Sequence, residues 1–212
     1  MPASLFERFL PWVRSQFPQV AALRDGQRRV YLDSAAGTLV PQTVADAIAD
    51  AALWANAQPE RSWPPAPQTK AHHRRTRAML RDFLNAAPED PVFLSESTTS
   101  ALYKLRESLE PGWAETDNVV VTDCDHFANI SPWEWRARWE VRRAPMLPDG
   151  QLDLERFTAL LDDRTRVVAL ALAGNGLGTV LPVGEAVRRV RERAPGARVV
   201  VDAVHAAPHL PI

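Results

Sequence analysis

The sequence predicts an α/β fold, a mostly parallel sheet flanked by helices, and three observations carry that prediction. From about residue 91 onward, short apolar runs alternate with segments of helical length, the rhythm of β-α-β units. The run Val199-Val200-Val201 is β-branched throughout, as expected of a strand buried on both faces of a parallel sheet. The runs end in polar or glycine-rich clusters, so Asp202 falls at the carboxyl end of a strand, the edge where open α/β sheets bind ligands.

Composition narrows the class. A chain of 212 residues buries one good core, so one large domain, or a domain and a fragment, is expected. A formal net charge of −1 gives no electrostatic footprint for nucleic acid or an anionic membrane. Cys124 is the only cysteine, which excludes an intrachain disulfide, and the N-terminal residues combine no basic region with an apolar run long enough for a signal or a membrane span. A reducing cytoplasm is the expected compartment. Lysine occurs only at positions 70 and 104.

The elements follow in order. Residues 4–17 carry apolar side chains at helical spacing and read as an amphipathic arm, with Pro11 suited to the first turn of a second short helix. Val30-Tyr31-Leu32 reads as a short strand ending at Asp33, and the small residues Ser34 to Thr38 as a loop. Pro41 starts a helix to about Asn56. Residues 57–68, with Pro59, Pro64, Pro65 and Pro67, form a loop, since proline removes donors and fixes φ. A basic helix over 69–85 carries Lys70, His72, His73, Arg74, Arg75 and Arg77. Neighbours on a helix point about 100° apart, so the two histidines are no metal pair, and the charge run reads as a solvated face rather than an RNA surface.

Strand 91–94 then leads to a helix ending near Leu109, strand 118–122 to a Trp-rich helix through Trp139, and strand 140–144 to the turn Pro148-Asp149-Gly150. A helix over 153–161, strand 166–172, the turn Gly174 to Thr179, a helix over 182–193 and the final strand complete the chain. Trp133, Trp135 and Trp139 sit among helical apolar positions and read as packing residues.

Several polar groups at these ends suit one ligand. Ser97-Thr98-Thr99 opens a helix, where free N–H groups, the helix dipole and hydroxyls form a phosphate seat; simple capping is the plainer reading of the same residues. His126 offers an aromatic face and an N–H just past a strand, or is an ordinary half-buried histidine. Asn175 lies in a glycine-rich turn, and Asp202 and His205 follow the last strand. Together they suit a ligand with an anionic tail, a flat ring and a basic nitrogen, and pyridoxal 5′-phosphate has all three.

With these motifs in hand, the sequence resembles the fold-type I, class V aminotransferases, and within them the cysteine desulfurase-like proteins. The resemblance rests on residues 30–38, Ser97-Thr98-Thr99, Asp125 to Trp133, Arg164 to Val168, Asn175 to Thr179 and Val201 to His209. It implies that Thr98 and Thr99 hold the phosphate, His126 stacks on the pyridine ring, Asn175 faces the ring substituents, Asp202 pairs with the pyridine nitrogen and His205 reaches the phenolic oxygen. It runs from about Phe17 to Ile212 and also implies residues 30–212 as part of a cofactor-binding large domain, after a helical arm over residues 1–29, with an amino-acid substrate and a homodimer or association with a chain supplying the missing half. The chemistry implied is carbon–sulfur cleavage or transamination.

The departures are equally specific. The Schiff-base lysine of this family follows the Asp202 motif by a short distance, and neither Lys70 nor Lys104 matches it, so no catalytic residue is assigned in the chain. The family's carboxylate-binding arginine, desulfurase cysteine and small C-terminal domain are likewise expected past Ile212, which reads as truncation or a split product. Cys124 does not match that cysteine and reads as a small buried thiol, and the Trp63 loop lacks the usual Gly-His segment. Other readings stand beside this one: a non-catalytic interaction or regulatory protein that keeps the fold, nucleotide binding at Gly174-x-Gly176-x-Gly178, and a metal site from Asp202, His205 and His209. The glycine spacing is not that of a dinucleotide fingerprint, and Pro208 interrupts any helix aligning the two histidines.

Overall fold

The structure, a computed structural model, describes residues 5–212, and the Ser4 start of the expected N-terminal helix lies outside them. The chain divides into two compact units at the Asp82–Phe83 junction.

In the first unit, helix α1 (Leu5–Ser15) keeps Pro11 inside it. No second helix starts there: the ring removes one helix hydrogen bond while the path continues. Helix α2 (Pro18–Ala21) begins with proline in its first turn, where no N–H is required. Strands β1 (Leu23–Arg24) and β2 (Gln27–Arg28) form an antiparallel hairpin around Asp25 and Gly26, both at positive φ (53° and 73°) as a two-residue hairpin turn of this hand requires. The expected strand at residues 30–32 does not form. Its backbone pairs with no other strand, and Val30 and Leu32 remain 78% and 92% exposed. The following loop is tied by Gly37 N–H donating to the Asp33 carbonyl at 2.9 Å and by the Tyr31 hydroxyl on the Gly37 carbonyl. Helix α3 (Gln42–Trp54) starts after Pro41, as expected. Helix α4 (Ala66–Phe83) starts three residues earlier than the sequence suggests, directly after Pro65.

The second unit holds α5 (Thr98–Leu109), β3 (Asn118–Thr122), α6 (Phe127–Glu134), β4 (Glu140–Ala144), α7 (Leu154–Ala159), β5 (Thr165–Ala171), α8 (Val183–Arg193) and β6 (Arg198–Asp202). The four strands pair in the order β4-β3-β5-β6, all parallel. Side-chain alternation splits the core in two. Val120, Val168 and Leu170 pack with Phe157, Ala186 and Val190 of α7 and α8. Val119, Val121, Val167 and Ala169 pack on the other face with Ile130 and Trp133 of α6. Helices therefore cover both faces, as the sequence predicted.

Three details differ from the sequence reading. Residues 91–94 form no strand: without a partner ladder, Phe93 and Leu94 stay more than half exposed. The Trp-rich helix ends at Glu134, because Trp135 turns to an extended conformation and Arg136 takes φ 51°. Trp133 and Trp139 are then buried packing residues, while Trp135 is 55% exposed. Finally, among the described residues β6 is an edge strand paired only with β5, and its run at 199–201 is partly exposed rather than fully buried: Val199 and Val200 pack on the two opposite core clusters but Val201 is 39% exposed.

At the amino ends of the strands a polar network closes the core. Asn118 donates from Nδ2 to Asp162 Oδ1 at 2.8 Å and accepts at Oδ1 from the Thr165 hydroxyl at 2.8 Å, while Arg142 Nη1 donates to Asp162 Oδ2 at 2.8 Å. The carboxyl ends are left for the site.

Candidate functional site

The strand order places a topological switch at the β3–β5 junction. From β3 the chain crosses to β4 on one side, then returns past β3 to β5 on the other, so the loops after β3 and β5 leave in opposite directions and open a crevice between them. The first of these loops carries Asp123 to His126, the second Gly174 to Thr179.

The two loops touch. Gly174 is buried against Cys124, so tightly that a β-carbon at 174 would lie 2.5 Å from the Cys124 Sγ. The loop itself is a closed turn, with Gly174 N–H on the Thr179 carbonyl, Gly178 N–H on the Gly174 carbonyl and Gly178 at φ 72°. Cys124 is half-buried, and burial, then the neighbouring Asp125 charge, push its thiol above the ordinary value. It is a packing group rather than an activated nucleophile.

His126 is the N-cap of α6, its Nδ1 accepting from Ala128 N–H at 3.1 Å. A neutral ring with an acceptor at Nδ1 carries its proton on Nε2. Just before it, Asp125 is buried, and its carboxylate accepts from Thr122 N–H (3.2 Å), the Thr122 hydroxyl (2.5 Å) and Asn129 Nδ2 (2.8 Å). Desolvation outweighs these bonds and, with the Asp202 charge adding to it, raises the Asp125 carboxyl to about 6.

Asp202 ends β6. Its backbone carbonyl accepts from Leu172 N–H at 2.8 Å, and its Oδ1 accepts from Val204 N–H at 2.9 Å, so it does cap the turn that follows. Its Oδ2 accepts no hydrogen bond from any described residue. His205 is half-buried in that turn. Ser97 caps α5 by accepting from Ser100 N–H at 3.1 Å, leaving the Thr98 and Thr99 hydroxyls with no partner among the described residues. Thr98 is half-buried; Thr99, Asn175 and His126 are exposed.

The structure thus brings the His126 turn, the Asn175 turn and Asp202 to one edge of three adjacent strands, through the Cys124–Gly174 contact and the Asp125–Asp202 charge interaction. Thr98 and Thr99 stand at the start of α5, which packs on α6. Sequence reading took Asp125 only as part of a motif; the Thr122–Asp125–Asn129 spacing, an acceptor between a strand end and the first turn of a helix, is the signal that could have found it. Among the described residues no group of three or more His, Cys, Asp or Glu is placed to hold a metal ion, and no helix is long and apolar enough to cross a membrane.

Polar groups gathered at the carboxyl edge of a parallel sheet mark a ligand site in open α/β folds generally, and the family is given by the class-V aminotransferase model, which matches residues 30–212; the chain belongs to that family. A curated cysteine desulfurase of Dickeya dadantii (strain 3937) is 34% identical over 206 residues, covering 93% of this chain and 48% of that protein. The crystal structure of the cysteine desulfurase CsdA (S-sulfonic acid) from Escherichia coli aligns with a TM-score of 0.78 at 26% identity, over 95% of this chain and 50% of that one. A C-DES variant with glycine covalently linked to its pyridoxal phosphate cofactor aligns with a TM-score of 0.76 at 23% identity, over 94% of this chain and 51% of that one, a likeness of fold alone. The chain spans about half the length of the curated relatives it matches.

Proposed function

We propose that the carboxyl edge of β3, β5 and β6 is a pyridoxal 5′-phosphate seat, and that the chain is the cofactor-binding portion of a cysteine desulfurase-like protein acting on an amino acid, by carbon–sulfur cleavage or transamination. The observation that carries this reading is the placement of Asp202, with one carboxylate oxygen unengaged, on the strand edge it shares with the His126 and Asn175 turns. When bound, the cofactor supplies an electron sink for carbanion chemistry at the substrate.

The residues fit such a group. Asp202 Oδ2 would pair with the pyridine nitrogen and keep its proton there, and the half-buried position would strengthen that pairing relative to open water. His126, its Nδ1 engaged by Ala128, offers a fixed ring for stacking. Thr98 and Thr99 supply hydroxyls and N–H groups at the positive end of a twelve-residue helix, which suits a phosphate dianion. Asn175 and His205 provide donors toward the ring substituents. Association with a second copy of the chain and a cytoplasmic setting are part of this proposal and rest on the family alone.

Both lysines are exposed and paired, Lys70 with Glu60 at 2.8 Å and Lys104 with Glu96 at 2.7 Å, and neither is on the strand edge. The chain by itself is then expected to bind the cofactor without a covalent link.

Titration of the full chain with pyridoxal 5′-phosphate, read by visible absorbance before and after borohydride, tests both points. Saturable binding that is lost in Asp202→Ala and is not fixed by borohydride is the expected result. Binding unchanged in Asp202→Ala, or none in the native chain, overturns the cofactor seat; borohydride fixation would show that one of the two lysines is competent.

A further inference from the structure

The most heavily bonded carboxylate at the site has no part in the cofactor reading. Asp125 lies between the last residue of β3 and the first turn of α6, and receives a donor at each oxygen: Thr122 N–H and hydroxyl at Oδ2, Asn129 Nδ2 at Oδ1. Thr122 and Asn129 are fully buried. Asn129 in turn donates its backbone N–H to the His126 carbonyl at 2.8 Å, and the next amide back, Ala128 N–H, holds His126 Nδ1. The imidazole is fixed through the first turn of α6, and that turn is fixed to the sheet through Asp125.

With Asn129 oriented as it is, the clamp uses an acceptor on both sides, which the Asp125 carboxylate provides. The orientation of Asn129 shows what this demands: its Nδ2 is given to Asp125 while its own Oδ1 is buried without a partner. A buried orphan acceptor is unfavourable, and it is tolerated where the bond that creates it fixes something else.

We propose that Asp125 is the positioning residue of this site: by clamping Thr122 to Asn129 it sets the tautomer and orientation in which His126 is presented beside Asp202 and the Gly174 turn. The proposal concerns the free chain, and only its second readout rests on the cofactor reading above. Asp202 on β6 is the titratable group whose charge acts on Asp125, and Asp125 in turn acts on Cys124 beside it; neither Asp202 nor Cys124 replaces it as an acceptor for Asn129.

The test uses the full chain labelled with nitrogen-15 at histidine, with the His126 ring signals assigned by their loss in His126→Gln. In the native chain the neutral ring shows a fixed Nε2–H form. In D125A the ring nitrogens move toward the average of two exchanging tautomers. In D125N the fixed form returns, because the new amide oxygen serves Thr122 and its nitrogen meets Asn129 once that side chain turns over. V190A, which opens the core under α8 away from the turn, lowers stability without moving the His126 signals. Pyridoxal 5′-phosphate affinity falls about tenfold in D125A, the fold-change one lost hydrogen bond carries, and returns to within about twofold in D125N. Native His126 shifts in folded D125A overturn the proposal. Should D125A fail to fold, N129A, which removes one side of the clamp and keeps the backbone bond, gives the same reading: shifted His126 signals support it, unshifted ones overturn it. If the native chain does not bind the cofactor, the seat fails while the ring signals still decide the role of Asp125.

Discussion

Gly174 and Cys124 meet closely enough that no side chain fits between them: a β-carbon on Gly174 would stand 2.5 Å from the Cys124 sulfur and 3.4 Å from its carbonyl oxygen. Their contact joins the loops on the two sides of the β3–β5 switch, and through those loops sets the spacing between His126 and Asn175. Gly174→Ala is therefore expected to destabilise the chain by about 1–3 kcal/mol, the usual penalty for overpacking a filled site. Combining it with Cys124→Ala removes the sulfur and recovers most of that loss. Urea unfolding of the single and double variants measures the coupling, and strict additivity would show that the contact carries no strain.

Stability should fall as pH rises through the range that Asp125 controls. Its carboxyl titrates at about 6 in the folded chain against an ordinary value of 3.8, chiefly because burial disfavours the charge. Between those values the folded chain holds a proton that the unfolded chain has released, so raising the pH favours unfolding. The contribution is on the order of 3 kcal/mol, present below about pH 4 and lost by about pH 6. D125N has no such proton, so its stability relative to the native chain rises across that window. Urea midpoints at pH 4, 5, 6 and 7 for both chains check this, and a parallel pH dependence would contradict it.

Asp162 behaves in the opposite sense. Burial opposes its ionisation, but Arg142, Asn118 and the Arg164 amide together hold its carboxyl down at about 2. The unfolded chain thus takes up a proton first as pH falls, so the stability Asp162 contributes is present above about pH 4 and lost as pH falls through about 2. Because the carboxylate is partly solvated, the effect is smaller than that of a buried pair. Asp162→Ala leaves the fully buried Asn118 amide without its acceptor and should lower stability by about 1–3 kcal/mol at neutral pH. Acid titration of the native chain and the variant, followed by circular dichroism, measures both effects.

Much of the second unit was legible from residue pattern alone. Strands 118–122 and 140–144 and the end of α5 at Leu109 stand where the sequence puts them; the β-branched run Val119–Val121 and the Ser97 cap at the start of α5 are local signals. Val30–Leu32 and Pro91–Leu94 have the same local character and form no strands, since a strand exists only where another supplies its hydrogen bonds. Trp139 was read as helical, yet it follows the break at Trp135 and Arg136 and packs edge-on to Trp113 at 4.9 Å.

For the site the division is the same. The sequence by itself determined which polar residues close each strand, including His126, Asn175 and Asp202, since position relative to an apolar run is a property of the chain's own order. Only the tertiary structure decided that β3 and β5 are neighbours, that Cys124 and Gly174 lock their loops together, and that Asp125 is buried within reach of the Asp202 charge. Those facts depend on strand order and on desolvation. Both arise from which distant segments exclude water from one another, and no local pattern encodes that exclusion.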